Sequence, residues 1–191
     1  QPQWWTSVFK DFDFHEKQHA VGDFNIYGNT RSKLSNLYYG RAQAHNISYK
    51  DVAIDESDSI VRGRNNYTEL KGLNVTCGSG WVSGDIAFVS KSDAIQAPLS
   101  VHFDMQAKIG LDDAAKLTKK NIAQVISYFK TKEPTLFQIK GAIFNREYPA
   151  FTGKSFFDLS ANCEKAITFK NITLSRLGFD LHSRTNGNYL R

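Results

Sequence analysis

The chain of 191 residues is 41% hydrophobic and 13% aromatic and carries a net charge of +5. This composition excludes a disordered chain, and the length predicts a single domain over residues 1–191 with a core of its own. No run approaches the roughly 18 apolar residues of a membrane span, Gln1 opens no signal-like segment, and the basic residues are scattered, so we expect no stable membrane insertion, no unprocessed precursor and no nucleic-acid partner.

Residues 1–22 form an aromatic N-terminal segment. Trp5, Val8, Phe9 and Phe12 recur at the spacings of one helical face. The pattern predicts an N-terminal arm or short helix. Such a segment would pack on the core, or plug or line an apolar opening.

From about residue 23 to residue 110, the pattern is typical of β-structure. Phe24 and Ile26 alternate with polar residues, and the Tyr-, Ile- and Val-rich stretch Leu37–Ile54 is interrupted at Lys50-Asp51. Several strands with short connections predict an antiparallel meander.

The clearest strand is Leu99–Ile109, where every odd position is apolar and every even position is polar. This period of two indicates one face in a core and one in water. A strand of this length predicts a broad, curved sheet.

A single helix is predicted over residues 113–130. Its apolar positions repeat at helical spacing, and Pro134 follows its end. They are Ala115, Ile122, Val125, Ile126 and Phe129.

Strands resume after the helix. The last, Ile172–Leu181, changes the parity of its apolar positions, which predicts a β-bulge near Ser175-Arg176. Residues 184–191 are predicted to be a loose tail. The predicted fold is therefore mainly β with one amphipathic helix (α+β): a strongly curved antiparallel sheet wrapped on that helix.

Four Asn-X-Ser/Thr sequons favour a secreted, extracellular glycoprotein. The acceptor residues are Asn46, Asn66, Asn74 and Asn171. Cys77 and Cys163 are the only cysteines, and an even number in a secreted chain predicts one structural disulfide. Closing so long a loop would stabilise the fold by roughly 4–5 kcal/mol in the chain-entropy model.

The segment His15-Glu16-Lys17-Gln18-His19 matches H-E-x-x-H, in which two His bind zinc and the Glu acts as a base. Its continuation to Gly22 resembles the metzincin metalloproteases. Asn25 stands at the position of their third ligand, and only fourteen residues precede His15. A zinc hydrolase is therefore the third of our hypotheses, behind an exposed N-terminal segment.

No other arrangement points to catalysis. The sequence has no G-x-S-x-G nucleophile elbow and no phosphate-binding loop before a helix. We expect a protein that is not an enzyme and that needs no cofactor or metal.

A long sheet with one apolar face beside an amphipathic helix is a container architecture for an apolar ligand. The same pattern also fits a filled core. The predicted lining comes from the apolar sides of the long strand and the helix: Val101, Phe103, Met105, Ile122, Ile126 and Phe129.

The segments Thr68–Val75, Trp81–Val89 and Val101–Gly110 together resemble the tubular lipid-binding superfamily, which includes the group-7 mite allergens and the juvenile hormone-binding and takeout proteins. The resemblance covers about residues 60–130. It implies an antiparallel sheet bent around a long helix, with an apolar ligand held in a tunnel without catalysis.

The leading hypothesis is thus a secreted glycoprotein that binds a lipid, hormone or carotenoid-like pigment in an apolar tunnel. The alternative is a non-enzymatic secreted interaction protein with a filled core. Either protein could form a homo- or hetero-oligomer.

Overall fold

The fold is that of a computed structural model of the chain. The described residues are 11–13, 20–28, 37–64, 66–78, 80–90, 99–118, 120–145, 154–184 and 187–190. Within them the protein is mainly antiparallel β-structure with two short helices, which confirms the predicted fold class at this level.

The described strands form one large sheet and one small sheet. The large sheet has eleven described strands: β1 (Phe12–Asp13), β2 (Ala20–Tyr27), β3 (Leu37–Tyr49), β4 (Val52–Arg64), β5 (Tyr67–Cys77), β6 (Gly80–Val89), β7 (Ser100–Ile109), β9 (Thr135–Phe144), β10 (Phe156–Cys163), β13 (Leu177–Arg184) and β14 (Gly187–Leu190). The small sheet contains β8 (Phe129–Lys130), β11 (Ile167–Phe169) and β12 (Ile172–Leu174).

The large sheet is a meander in which strands from β3 onward follow their chain order. Lys50 and Asp51, with φ of 49° and 61°, form the two-residue turn between β3 and β4. Positive φ at both positions matches the right-handed twist of a hairpin, so the interruption seen in the sequence is a tight turn. β1 and β2 both pair with β3, at opposite ends of that strand.

The alternation in β7 is confirmed. Phe103 and Met105 are half-buried, whereas His102, Asp104 and Gln106 are exposed. The strand register places residues of the same face opposite one another on neighbouring strands. We call the side of Ile86, Phe103, Met105, Ile139, Leu159 and Leu181 the apolar face, and the side of Asp85, Asp104, Lys140, Asp158 and His182 the polar face.

Asn46 interrupts β3 without changing its register with β4. Its backbone is left-handed (φ 50°), a conformation that Asn tolerates better than most residues. Ala44 and Ile47 are both buried, although a regular strand would place residues three apart on opposite faces. The turn of the backbone at Asn46 therefore directs both side chains into the protein.

The single predicted helix is instead two: α1 (Leu111–Leu117) and α2 (Lys120–Ile126), of seven residues each. Thr118 ends α1 because its backbone is extended, and its hydroxyl donates to the Ala115 carbonyl (3.0 Å). Residues 129–130 of the predicted helix belong to β8. None of the described helices is long and apolar enough to cross a bilayer.

The buried core lies where the helices meet one end of the large sheet. Val52, Cys77, Ile109 and Ala114 form it, and partly buried Val82, Ala107, Leu117, Ile126 and Phe137 surround it. Among the described residues, no large side chain is fully buried. A sheet strongly curved around one helix is thus not found; two short helices cover one end.

The predicted Cys77–Cys163 disulfide is not formed, since both cysteines are free and buried. Cys77 ends β5 and Cys163 ends β10, with β6, β7 and β9 between them. At about 4.8 Å per strand the two residues lie roughly 19 Å apart along the sheet. A disulfide requires Cα atoms closer than about 7 Å.

The C-terminal region also differs from the sequence-based expectation. The predicted strand Ile172–Leu181 is divided between β12 of the small sheet and β13 of the large one, so separate sheets, and no bulge, explain the change of parity. Residues 187–190, within the predicted loose tail, form β14 and pair with β13.

Candidate functional site

The apolar face presents a continuous row of large side chains across four strands. Met105 of β7 lies opposite Ile139 of β9, which lies opposite Leu159 of β10 and then Leu181 of β13. All four side chains are partly exposed. A neighbouring row contains Ile86, Phe103 and Phe157.

The neighbouring row has a glycine between its two phenylalanines. Gly141 lies directly opposite both Phe103 and Phe157, and it contributes no side chain. A Cβ at this position would clash with the backbone of β10. Gly141 is itself buried, so its neighbours close over it and the row of Phe103 and Phe157 is not interrupted by open space.

Helices α1 and α2 cover only the Ile109 end of this face. The core cluster includes Ile109 and Ala107 of β7 but not Val101, Phe103 or Met105. At about 3.4 Å per residue, Phe103 lies roughly 20 Å from Ile109. Most of the row is thus outside the helical cover.

The structure brings the predicted lining residues together only in part. Val101, Phe103 and Met105 share the apolar face. Ile126 packs at the helix-covered end, and the Phe129 ring packs at a tilt against Phe169 of the small sheet, with ring centroids 4.8 Å apart. The side chain of Ile122 lies outside the described residues.

Sequence reasoning missed Ile86, Leu159 and Leu181 as parts of this face. Each lies in a stretch that is recognisably apolar, but register across strands decides which residues become neighbours. The shared parity of Phe137 and Ile139 was the available signal for β9.

The polar face carries cross-strand ion pairs. Arg41 bonds Asp58 (2.5 Å), Arg62 bonds Glu69 (2.5 Å), and Lys140 of β9 bonds Asp104 of β7 (2.6 Å). Each cation has an acidic partner on the neighbouring strand, and most of these side chains are exposed. Such pairs stabilise weakly, so we interpret this ladder as structural.

Asp85 holds an irregularity in β5. Its carboxylate accepts the Gly72 amide (2.8 Å) and the Lys71 ammonium, and Gly72 has a left-handed φ of 60°. These bonds, the backbone bond first, hold the pKa of Asp85 below its ordinary value. The Gly72-Leu73 step, within the segment Thr68–Val75 of the sequence resemblance, is therefore a bulge anchored from β6.

Asp158 on β10 forms the second acidic centre of the polar face. It accepts bonds from His182 (2.7 Å) and Arg184 (2.6 Å), and these two bonds, His182 first, lower its pKa. All three side chains are substantially exposed.

The described surroundings of Cys77 are not those of a nucleophile. Burial raises the pKa of the Cys77 thiol, and the Asp113 and Asp55 carboxylates raise it further. The Cys163 thiol contacts the Lys165 carbonyl (3.4 Å). A raised pKa keeps the Cys77 thiol protonated and unreactive at neutral pH.

All four sequon asparagines are exposed. Asn66 and Asn171 lie in turns between strands, and the Asn66 amide donates to the Ser90 carbonyl (2.9 Å). Asn74 lies opposite Asp58 and Ser83, on the side away from the apolar face.

An open cleft of about 580 Å³ lies near β1 and the end of α1. Its lining includes Asp11, Lys50, Asp51 and Lys116, so it is mainly charged. Lys116 is already satisfied by Asp113 (2.9 Å) and the Asp51 carbonyl (3.1 Å). This cleft lacks the apolar lining expected of the ligand site.

The H-E-x-x-H segment, with His15, Glu16 and His19, lies outside the described residues, as do Trp5, Val8 and Phe9. Phe12 belongs to β1. In the part of the chain that the structure describes, no three His, Cys, Asp or Glu side chains are grouped so as to hold a metal ion.

Comparisons of this chain with protein families, with curated proteins and with solved structures find no match.

Proposed function

We propose that the protein is a secreted glycoprotein that binds a small hydrophobic ligand, such as a lipid, a hormone or a carotenoid-like pigment, on the apolar face. The resemblance to the tubular lipid-binding superfamily supports a ligand held against an antiparallel sheet. The ligand is held without chemical change.

The observation that carries the proposal is the length of the apolar face beyond α1 and α2. The row Met105–Ile139–Leu159–Leu181 is only partly buried by the described residues. Covering such a surface gains about 25 cal/mol per Å².

The sequons support the extracellular part of the proposal. Their asparagines are exposed, and Asn74 lies away from the apolar face. A glycan at Asn74 would therefore leave the ligand surface clear. Because the predicted disulfide is not formed, the sequons are the remaining evidence in favour of secretion.

The alternative, an interaction protein with a filled core, is favoured by a different observation. Several large apolar side chains are exposed away from the Met105 row, among them Ile26 (72%) and Ile172 (64%). Exposed apolar residues of this kind are typical of surfaces that meet another protein.

Ligand binding is tested with a fluorescent fatty acid and a matched pair of variants. Met105→Thr removes an apolar contact from the proposed site, whereas Gln106→Thr changes the next residue on the opposite face. We expect Met105→Thr to weaken binding about five- to tenfold, the loss of roughly 1 kcal/mol of contact, and Gln106→Thr to leave it unchanged.

Mass spectrometry of native material supplies the second measurement, and circular dichroism confirms that both variants fold. The proposal fails if the native protein contains no lipophile and takes up no fatty acid. It also fails if the two variants bind equally well.

A further inference from the structure

Strand β2 is an open edge of the large sheet. Among the described residues it pairs with β3 alone, and all eight of its side chains are exposed. In an edge strand, every second residue directs its N–H and C=O groups away from the sheet. β2 therefore presents a backbone ladder to an incoming strand.

This edge lacks the usual protection against strand addition. Natural edges carry Lys, Pro or a bulge, whereas β2 reads Ala-Val-Gly-Asp-Phe-Asn-Ile-Tyr, with Asp23 as its single charge. Its apolar side chains include Val21 (57% exposed), Ile26 (72%) and Tyr27 (62%).

The sequence of β2 is complementary to itself in one register. A two-fold axis perpendicular to the sheet keeps the apolar faces of two copies on the same side and requires residues of equal parity to lie opposite one another. An axis at Asp23 would place two carboxylates opposite each other, which is destabilising. An axis at Phe24 places Asp23 opposite Asn25.

The remaining pairs in the Phe24 register also match. Val21 lies opposite Tyr27, an aliphatic–aromatic pair that suits antiparallel strands. Ile26 lies opposite Gly22, which the ring of Phe24 covers, so the second copy's Ile26 meets that ring. The same ring also covers Gly40 of its own sheet.

We propose that β2 pairs antiparallel with β2 of a second copy of this chain, with Phe24 at the two-fold axis. The partner is a second copy because in this register the two Asp23 carboxylates are not opposite each other and the apolar side chains of one β2 meet those of the other. Eight residues a side are fewer than the roughly 20–30 of a standard interface, so the dimer is weak, with a dissociation constant on the order of 10 µM.

Cysteine cross-linking tests the register. Val21→Cys chains mixed with Tyr27→Cys chains, treated with a short bifunctional thiol reagent, are expected to give a cross-linked heterodimer because these positions lie opposite each other. Neither variant alone should cross-link, because each introduced cysteine lies six residues, about 20 Å, from the same cysteine in the second copy. The parent protein, with its buried cysteines, supplies the background. No excess of cross-linking in the mixture overturns the proposal.

Sedimentation measures the dimer itself. Parent protein and Ile172→Lys, a matched exposed position on the small sheet, are expected to dimerise as concentration rises to about ten times the dissociation constant. Phe24→Lys should remain monomeric, and mixing it with Phe24→Glu should restore dimers through opposite charges at the axis. A monomeric parent, or a Phe24→Lys chain that dimerises like Ile172→Lys, overturns the proposal.

Discussion

The two ends of β7 share one face of the sheet but differ in what covers them. Ile109 is 5% exposed and packs among Cys77, Val52 and Ala114 beneath the helices. Phe103 and Met105 belong to the same strand and follow the same alternation, yet they remain partly exposed. Among the described residues, identical local patterning therefore produces a core at one end and a partly exposed apolar surface at the other.

Truncating one side chain at each end of β7 tests this contrast and has the largest expected effect. We expect Ile109→Ala to lower the free energy of unfolding by about 3 kcal/mol, because it leaves a cavity in the buried cluster. Met105→Ala should cost about 1 kcal/mol, since its side chain is only partly buried. Urea unfolding measures both.

Repeating the unfolding measurements with a fatty acid present extends the same comparison. The ligand stabilises the parent and the Ile109→Ala chain by mass action, and stabilises Met105→Ala less, because that contact is lost. Equal costs for the two truncations, with and without ligand, would show that the two ends do not differ.

A smaller effect is expected at the bulge of β5. Gly72→Ala forces a Cβ into the left-handed region at φ 60° and should destabilise the fold by about 1–2 kcal/mol. Gly178→Ala on β13 is the matched control, because its backbone is outside that region and a Cβ has room there. Thermal unfolding that shifts equally in both variants would contradict this account.

The smallest effect is the pH dependence at Asp85. Its pKa is lower in the folded chain than in the unfolded chain, so its bonds stabilise the fold above pH 4 and are lost as the pH falls through the folded pKa. We expect Asp85→Asn to flatten the decline of the urea midpoint between pH 5 and about pH 2. If the urea midpoint of Asp85→Asn declines as steeply as that of the parent, Asp85 does not contribute to the loss of stability in acid.

The sequence predicts the strands better than it predicts what lies between them. The alternation of β7 and the turn at Lys50-Asp51 are visible in the chain because period and turn chemistry are local. Helical spacing likewise marks residues 113–130, but the extended backbone at Thr118 divides that segment. Spacing alone cannot show such a break.

Contacts between distant strands were beyond local reasoning. The Cys77–Cys163 pairing was wrong because cysteine count says nothing about the three strands that separate them. Ile139, Leu159 and Leu181 become neighbours of Met105 only through register, which depends on every hairpin between them. Half of the predicted lining, Val101, Phe103 and Met105, was placed on one face because it belongs to one strand.

The left-handed residue in β3 has a consequence for how far the sheet can grow. β2 pairs with β3 from Leu37 to Ala44, and β1 pairs with Ser48 and Tyr49. Asn46 therefore lies between the two strands that pair with this edge of β3. Within the described residues, an added chain can therefore pair with the eight residues of β2. A two-fold pair uses the β2 border of both chains at once, so the assembly closes at two chains.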